Sequence, residues 1–343
     1  MRVRYPEVRF CDGVTNESAC PPRSRVVNLG LNERAAAIAD DMADRSAELR
    51  VSVHTLPSGA RVIDAGIDAL GGLAAGRAVA LACMGGLGHV SFAPLTIGDE
   101  PYHGVHVWTD HPAEACMASQ YAGWAIHVGD YFAMGSGPLR AMARVEHELF
   151  DKLAYSETAE RGVLVLEGRV IPTDDVVAWV SERAGLPPVA LTFIIAPTAS
   201  IAGGVQITAR IIETGLHKMD ALGFDVRLVT SASGTTPIPP VAKNDLRAIG
   251  RTNDCMLYGG QARYTVRADD ATLEELARNL PASASSDYGT PFHEIFERYD
   301  RDFYRIDKLL FSPAEVWLTS ATSGRTFHGG RLEAGVLRTS LFG

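Results

Sequence analysis

Residues 189–223 read VALTFIIAPTASIAGGVQITARIIETGLHKMDALG, and this stretch carries the strongest structural signal in the chain. Its two apolar runs, separated by a proline-containing loop, predict two buried strands. The spacing of the apolar residues after them predicts a helix from Ala209 to Gly223. Arg210 is the first charged residue after residues 184–209, which carry no charge. We therefore expect the chain to leave a buried strand and loop at Arg210 and to enter a helix at the wall of a cleft.

Arg210 and Glu213 lie three residues apart on this predicted helix, so their side chains are neighbours on one face. With His217 and Asp220 they form a polar stripe, which is typical of a solvated helix surface. The uncharged stretch before Arg210 favours a second interpretation, a partly buried ion pair at a cleft, where burial changes the pKa of a carboxyl group. The pattern alone leaves both interpretations open.

A similar order of elements occurs earlier in the chain. Residues 77–95 predict a strand, a Gly-rich turn and a strand, and residues 112–126 predict a helix that starts at a proline. Asn32 is a predicted N-cap for a helix of about fifteen residues. Strand, Gly-rich loop, strand, helix and strand thus occur twice, which indicates a structural duplication.

This repetition predicts an α/β fold, α+β-like with mixed sheets, in which two similar lobes enclose a substrate cleft. The first lobe is expected at residues 28–158 and the second at residues 159–343, with a C-terminal segment that can pack on both. Residues 1–27 are polar and Arg-rich and have no apolar core. They are therefore interpreted as an N-terminal extension and not as a secretory signal.

The composition is that of a soluble globular protein, with 46% hydrophobic and 21% charged residues. A net charge of −9 argues against a nucleic-acid partner, because phosphate backbones bind basic surfaces. Prolines and paired glycines interrupt the uncharged stretch 184–209, so no membrane span is predicted. The five cysteines are odd in number and form no CxxC pair, which favours reduced thiols and a cytoplasmic location.

Three loops are candidates for lining the cleft: CMGGLG at 83–88, GSGP at 135–138 and PTAS at 197–200. The GSGP turn can present backbone N–H groups to an anion at a helix N-terminus, and the alternative is a tight turn without a ligand. Neither GxGxxG nor GxxxxGKS/T occurs, which opposes a nucleotide-binding or dehydrogenase function.

Two further groups of polar residues have alternative interpretations. His103, His106, Asp110 and His111 are metal-ligand types, but the two histidines of the strand point to opposite faces and the last pair is typical of a helix cap. We predict no metal site from them. Glu167 ends the apolar strand GVLVLE, where a carboxylate is either catalytic or marks the point at which the strand meets water.

Six blocks of sequence, in order along the chain, resemble one enzyme family. They are CMGGLG, TDHPAEACMASQYAGW, YFAMGSGPLRA, APTASIAGGVQITARIIET, GRTNDCMLYGG and SSDYGTPFHEIFERYDRDFYRID. Together they resemble methenyltetrahydromethanopterin cyclohydrolase from about residue 28 to the C-terminus. The resemblance implies two α/β lobes with a pterin between them, no metal or redox cofactor, and a cytoplasmic enzyme of one-carbon metabolism. It also implies a homo-oligomer, a trimer where the architecture of the family is known.

The reaction that the resemblance implies is the reversible hydrolysis of N5,N10-methenyltetrahydromethanopterin to N5-formyltetrahydromethanopterin. The essential arginine and glutamate of the family fall on Arg210 and Glu213. Glu213 is then expected to act first as a general base and afterwards as an acid, with Arg210 tuning its ionisation. Two alternatives stay open: a cyclohydrolase acting on the folate analogue, and a non-catalytic pterin-binding protein.

Substrate contacts are expected from the three loops and from one further position. Tyr121 stands where some archaeal family members carry lysine, which leaves the exact variant of the pterin tail open. The expected substrate-binding residues are Gly85, Gly86, Tyr121, Gly135, Ser136, Gly137, Thr198 and Ser200.

Overall fold

A computed structural model describes residues 29–302 and 305–342 of the chain. The predicted extension, residues 1–27, lies outside the described residues. Two six-stranded sheets and the helices packed against them form an α/β fold with two lobes, as predicted. Within these described ranges, no helix has both the length and the apolar character needed to cross a membrane.

The helices and strands are numbered here in chain order. The helices are α1 Leu31–Asp44, α2 Ser46–Leu49, α3 Leu73–Cys83, α4 Pro138–Ala143, α5 His147–Leu153, α6 Asp174–Ala184, α7 Ile201–Thr208, α8 Ile211–Ala221, α9 Asp245–Gly259, α10 Asp270–Asn279, α11 Phe292–Arg298 and α12 Ala334–Phe342. The strands are β1 Ser52–Thr55, β2 Arg61–Asp64, β3 His89–Ile97, β4 Glu100–Thr109, β5 Trp124–Val128, β6 Tyr131–Ser136, β7 Gly162–Glu167, β8 Leu191–Ala196, β9 Val229–Pro237, β10 Gln261–Val266, β11 Glu315–Ser320 and β12 Thr326–Gly330.

The first sheet has the strand order β1-β2-β8-β7-β6-β5. Its centre is parallel, because β8 lies between β2 and β7 and runs in the same direction as both. Val163 and Val165 of β7 pack with α1 and α3 on one face, whereas Leu164 and Leu166 pack with α6 on the other. The sheet is therefore covered on both faces, as is usual for parallel strands.

The second sheet has the order β12-β11-β10-β9-β4-β3 and is antiparallel except between β10 and β11. Tyr264 and Leu318 are buried in a core that includes residues of α8 and α10. Arg263 and Trp317 lie on the opposite face, where the guanidinium stacks on the indole at 4.0 Å and Arg263 is exposed. The face that carries Arg263 is thus partly exposed.

Each sheet contains strands from both halves of the chain. The first sheet takes β1, β2, β5 and β6 from before residue 158 and β7 and β8 from after it. The second sheet takes β3 and β4 from before residue 158 and the other four strands from after it. Each of the predicted ranges 28–158 and 159–343 therefore supplies strands to both sheets, because β4 pairs with β9 and β3 pairs with β4.

Two segments that were predicted to be strands are helices. Residues 77–83 belong to α3, and residues 201–208 form α7. A short helix that is buried on most sides shows the same uninterrupted apolar run as a buried strand, so the pattern does not separate the two. Small residues allow these helices to approach closely, since a Cβ atom on Gly76 would lie 2.7 Å from Cβ of Val205.

The helix predicted at residues 112–126 is shorter than expected and has a wider turn. Residues Ala113–Gln120 form a π-helix, and the amide of Tyr121 donates to the carbonyl of Cys116 at 2.8 Å. The chain then becomes extended, and β5 places Trp124 and Ile126 in the core on alternate positions. The alternation of buried residues in WAIHV is a strand signal that the helix prediction overlooked.

Asn32 does not cap a helix, contrary to the prediction. It lies inside α1 and is fully buried. Its side-chain amide donates to the carbonyl of Pro138 at 3.1 Å and to the carboxylate of Glu157 at 3.0 Å, and its oxygen accepts from the amide of Val163 at 3.1 Å. Asn32 therefore joins α1 to β7 and α4, a tertiary role that the local sequence does not indicate.

Candidate active site

Arg210 occupies a break between two helices. α7 ends at Thr208, and α8 begins at Ile211 with Arg210 as its N-cap residue. Glu213 lies in the first turn of α8, so the predicted spacing of three residues on a helical turn is present. Both side chains are buried, with 7% and 5% of their surface exposed. The solvated-stripe interpretation is therefore wrong for this pair, although it remains adequate for Asp220, whose carboxylate pairs with exposed Lys152 at 2.9 Å.

The guanidinium of Arg210 is held by acceptors from four different elements. It donates to the carbonyl of Gln120 at the end of the π-helix, to Oγ of Ser136 at 3.0 Å and to Oε1 of Gln206 at 3.0 Å. It also contacts Sγ of Cys83 at 3.5 Å. These contacts fix the position of the positive charge, because each acceptor belongs to a packed helix or strand.

Glu213 is arranged differently from Arg210. Burial raises the pKa of Glu213 to about 7, and the positive charges of Arg210 and Arg140 oppose that rise. In the described part of the chain, no hydrogen bond reaches its carboxylate and no salt bridge joins it to Arg210. The group therefore combines a pKa near neutrality with unoccupied acceptor oxygens, which is what a general base for water requires.

Arg140 is a second cation beside Glu213. It is completely buried and donates to the carbonyls of Met117 at 2.6 Å and Ala118 at 2.8 Å, and it also pairs with Glu146. Its guanidinium lies 5.2 Å from the ring centroid of Tyr121. Arg140 was not singled out from the sequence, where an arginine in the first turn after the GSGP turn was the available signal.

Tyr121 lies at the junction of the π-helix and β5, close to the catalytic candidates. Its ring stacks on His217 at 5.0 Å between centroids, and the carbonyl of the preceding residue, Gln120, accepts from Arg210. Tyr121 is only partly buried. Tyr121 thus follows the residue that holds Arg210 and contacts His217, one turn after Glu213 on α8.

Ser136 of the GSGP turn contacts Arg210. Gly135 pairs with Trp124 and Leu166 inside the first sheet, and Ser136 contacts Arg210 and Cys83. Gly137 has a φ of 94°, and its amide donates to the carbonyl of Ser119 at 2.7 Å. Pro138 starts α4 as predicted, but the amide of Gly137 is already engaged within the protein and is not free for an anion.

Gly85 and Gly86 lie against residues of α1. Both have positive φ values, 61° and 67°, in the turn after α3. A Cβ atom on Gly85 would lie 2.6 Å from the side chain of Leu31, and one on Gly86 would lie 3.0 Å from Cβ of Arg34. These glycines allow the turn to pack against α1, and the contact of this loop with the site comes from Cys83.

Thr198 and Ser200 lie in the loop after β8. Ser200 caps α7, because its Oγ accepts from the amide of Gly203 at 3.0 Å. Thr198 is buried, and its hydroxyl donates to Oε1 of Glu167 at the end of β7. Burial raises the pKa of Glu167, and the hydrogen bond from Thr198 and the charge of Arg210 lower it. This loop therefore connects Arg210 with a second carboxylate.

The histidine group considered for metal binding is dispersed. Nδ1 of His106 contacts Oγ1 of Thr235 at 3.0 Å, and Asp110 accepts a hydrogen bond from Ser231 at 2.5 Å. Among residues 29–302 and 305–342, no group of three or more His, Cys, Asp and Glu side chains is arranged to hold a metal ion.

Comparison with known proteins shows the family of the chain. The family profile described as "Cyclohydrolase (MCH)" matches residues 30–341. The chain belongs to this cyclohydrolase family. A relative from Methylobacillus flagellatus is 44% identical over 311 residues, which cover 90% of this chain and 94% of the relative. A relative from Methylobacterium organophilum is 46% identical over 308 residues, covering 88% and 94%, and one from Methanosarcina barkeri is 39% identical over 314 residues, covering 91% and 98%. All three bear the name methenyltetrahydromethanopterin cyclohydrolase.

In this member of the cyclohydrolase family, the position of Arg210 depends on residues that contact its guanidinium. Gln120 and Gln206 were not singled out from the sequence, and Cys83 was predicted only as part of the loop CMGGLG, yet all three hold the guanidinium in place. Gln206 lies one helical turn before Arg210, so the i,i+4 spacing was a usable signal. Cys83 and Gln120 are distant in sequence and offered none.

Proposed function

We propose that the protein is a methenyltetrahydromethanopterin cyclohydrolase that converts N5,N10-methenyltetrahydromethanopterin and water reversibly into N5-formyltetrahydromethanopterin. The observation that carries the proposal is the buried Glu213, with a pKa raised to about 7 and a carboxylate that is not hydrogen-bonded, beside the fixed charge of Arg210. The names of the relatives support the same substrate.

Glu213 provides the proton acceptor that the reaction needs. The methenyl carbon shares a positive charge with two nitrogens and is already electrophilic, whereas water is a weak nucleophile. As the oxygen of water bonds to the carbon, the Glu213 carboxylate takes one of its protons. Glu213 then returns this proton to N10 as the bond between the carbon and N10 breaks. The remaining hydroxyl proton leaves to solvent when the formyl carbonyl forms, so the hydrolysis releases one proton.

Arg210 keeps the carboxylate available at neutral pH. Its charge opposes the effect of burial on the pKa of Glu213, which otherwise would favour the neutral acid. Its N–H groups are used by Gln120, Ser136 and Gln206, so its fork does not close on the carboxylate. Glu213 therefore keeps its basicity while it is held near a compensating charge.

The remaining features of the proposal come from family membership. We infer that no metal or redox cofactor takes part, that the enzyme acts in the cytoplasm, and that it assembles as a homo-oligomer, with a trimer as the expected form. Tyr121 and the loop at Thr198 and Ser200 are the proposed substrate contacts with the best position. Tyr121 follows Gln120, whose carbonyl accepts from Arg210, and Thr198 donates to Glu167.

A spectrophotometric assay tests the function. Hydrolysis destroys the conjugated methenyl cation, so its near-ultraviolet absorbance should fall faster with enzyme than in buffer alone. Glu213→Gln should lower kcat by a factor of about 10² to 10⁴ with a nearly unchanged KM, because the amide cannot accept the proton. Glu182→Gln, at an exposed position on α6, is the matched control and should behave as wild type.

The outcomes separate the alternatives. Fast loss with wild type and buffer-level loss with Glu213→Gln would support Glu213 as the base. Equal rates for both would remove Glu213 from the mechanism. A preference for methenyltetrahydrofolate over the methanopterin substrate would indicate the folate reaction, and binding without turnover would indicate a binding protein.

A further inference from the structure

Glu167 stands at the place where parallel sheets usually bind ligands. It is the last residue of β7, which runs parallel to β8, and the loop after β8 contains Thr198. Ligands of α/β sheets bind outside the carboxyl ends of parallel strands, where loops diverge. Glu167 interrupts an otherwise buried strand with a charged group, and it is only partly buried itself. The catalytic mechanism described above makes no use of it.

Among the described residues, the carboxylate of Glu167 accepts a hydrogen bond at only one of its two oxygens. The hydroxyl of Thr198 donates to Oε1, whereas no described residue donates to Oε2. The loop that carries Thr198 is itself fixed, because the amide of Ala199 donates to Asp245 at 2.8 Å and Arg169 pairs with the same carboxylate. A carboxylate with one oxygen held and the other available is suited to binding a group with N–H donors.

The charge of Arg210 acts on Glu167 as well as on Glu213. Ser136, which accepts from Arg210 at 3.0 Å, lies on β6 beside β7, the strand that ends at Glu167. The charge of Arg210 lowers the pKa of both Glu167 and Glu213. Glu213 accepts no hydrogen bond from the described residues, but Glu167 already accepts one from Thr198. Glu213 is therefore the better base, and Glu167 is the better fixed acceptor.

We propose that Glu167 binds the 2-amino-4-oxopyrimidine edge of the pterin ring and so directs the methenyl carbon towards Glu213. This inference rests on the proposed function, which supplies the pterin. The N3–H and 2-amino N–H groups of a pterin point in the same direction, as two donors of an arginine fork do. Such a pair matches the two oxygens of a carboxylate. Glu167 is thus a specificity-determining residue, and Thr198 positions it.

The decisive variant is Glu167→Gln. Its amide offers one acceptor and one donor, and the donor would face a donor of the pterin ring. We expect KM to rise about 10- to 100-fold, in line with the loss of a charged hydrogen-bonded pair, while kcat stays within about threefold of wild type. Glu315→Gln is the matched control, because Glu315 is also a partly buried strand-terminal glutamate with hydrogen-bonded neighbours, but it lies in the second sheet.

A binding comparison tests the same idea without turnover. Lumazine differs from pterin in carrying a C2 carbonyl in place of the 2-amino group, so it presents an acceptor to the carboxylate. Wild type should bind pterin more tightly than lumazine by at least about tenfold, measured by quenching of tryptophan fluorescence. Glu167→Gln should lose most of this preference and should keep the thermal unfolding midpoint of Glu315→Gln within a few degrees.

Each result has a defined meaning. A fall in kcat at constant KM would overturn the inference and make Glu167 part of the proton transfer. Unchanged KM and kcat, or no preference for pterin over lumazine in wild type, would also overturn it. If wild type does not hydrolyse the methenyl substrate, the proposed function fails, whereas the pterin–lumazine comparison still decides the role of Glu167.

Discussion

At the scale of single residues, the groups that hold the guanidinium of Arg210 are different from the carboxylate on which its charge acts. A guanidinium has five N–H donors, so fixed acceptors can hold it in place while its charge still acts on a neighbour. Arg210 follows this arrangement: Gln120, Ser136 and Gln206 accept hydrogen bonds from it, and its charge acts on the pKa of Glu213. A direct ion pair would hold the carboxylate ionised but would weaken it as a base.

The pKa of Glu213 predicts the pH dependence of the reaction. Because burial raises this pKa to about 7, the protonated form persists to neutral pH, and only the ionised form accepts a proton from water. The hydrolytic kcat/KM should therefore rise as pH increases through about 7 and should level off above it. The measurement is kcat/KM from about pH 5 to 9 at constant ionic strength, corrected for buffer-catalysed loss.

A control defines the limits of this pH prediction. Glu182→Gln should give the same profile as wild type, since Glu182 is exposed and distant from the site. A rate that is constant through pH 7, or one that falls as pH rises, would contradict the assignment of Glu213 as the base.

At the scale of secondary-structure elements, two irregular helices position the reacting groups. The break between α7 and α8 places Arg210 at a helix end, and the π-helix ends so that the carbonyl of Gln120 accepts from Arg210. A π-helix is less stable than an α-helix and is often found at functional sites. Here the carbonyl at the end of the irregular turn holds Arg210, the arginine that we propose for the reaction.

The same elements show which features of the site could be predicted from the sequence. The positions of Arg210 and Glu213 were predictable because three-residue spacing on a helix is a local property. The role of Cys83 was not, because its contact with Arg210 joins residues 127 positions apart and depends on the whole topology. The sequence also did not predict that α7 is a helix. Because α7 is buried on most sides, it lacks the regularly spaced polar residues that indicate a helix.

Asn32 provides a test of stability at this scale. Asn32→Ala removes hydrogen bonds to Pro138, Glu157 and Val163 inside the protein and leaves buried polar groups without a partner. The free energy of unfolding should fall by about 2–4 kcal/mol, measured by denaturant titration. Asn279→Ala, which removes one hydrogen bond from an exposed asparagine on α10, should cost less than about 0.5 kcal/mol. Equal effects of the two substitutions would contradict the proposed role of Asn32.

At the scale of the whole molecule, the two lobes are connected by their strands and not only by a linker. β3 and β4 belong to the second sheet although the strands on both sides of them in sequence, β2 and β5, belong to the first. Neither sheet can be completed by one side of residue 158. The contact of Arg210 with Ser136 joins residues from both sides of residue 158 and therefore depends on the entire chain.

Division of the chain at residue 158 tests this interdependence. Separately expressed fragments 28–158 and 159–343 should each lack a cooperative thermal transition, because each would expose unpaired strand edges and half of a core. The intact chain from residue 28 is the control and should unfold cooperatively, followed by circular dichroism. Cooperative unfolding of either fragment alone would show that the predicted lobes are independent domains.

The parallel pairing of β2 with β8 also matters during synthesis. Ile63 pairs with Ile194, so the apolar edge of β2 has no partner until about 130 more residues have left the ribosome. At typical rates of translation this takes on the order of ten seconds. During that interval the nascent chain carries an open, hydrophobic strand edge, which is the kind of surface that chaperones bind. Slow codons placed before β8 would lengthen the interval and should increase the fraction of newly made protein that aggregates.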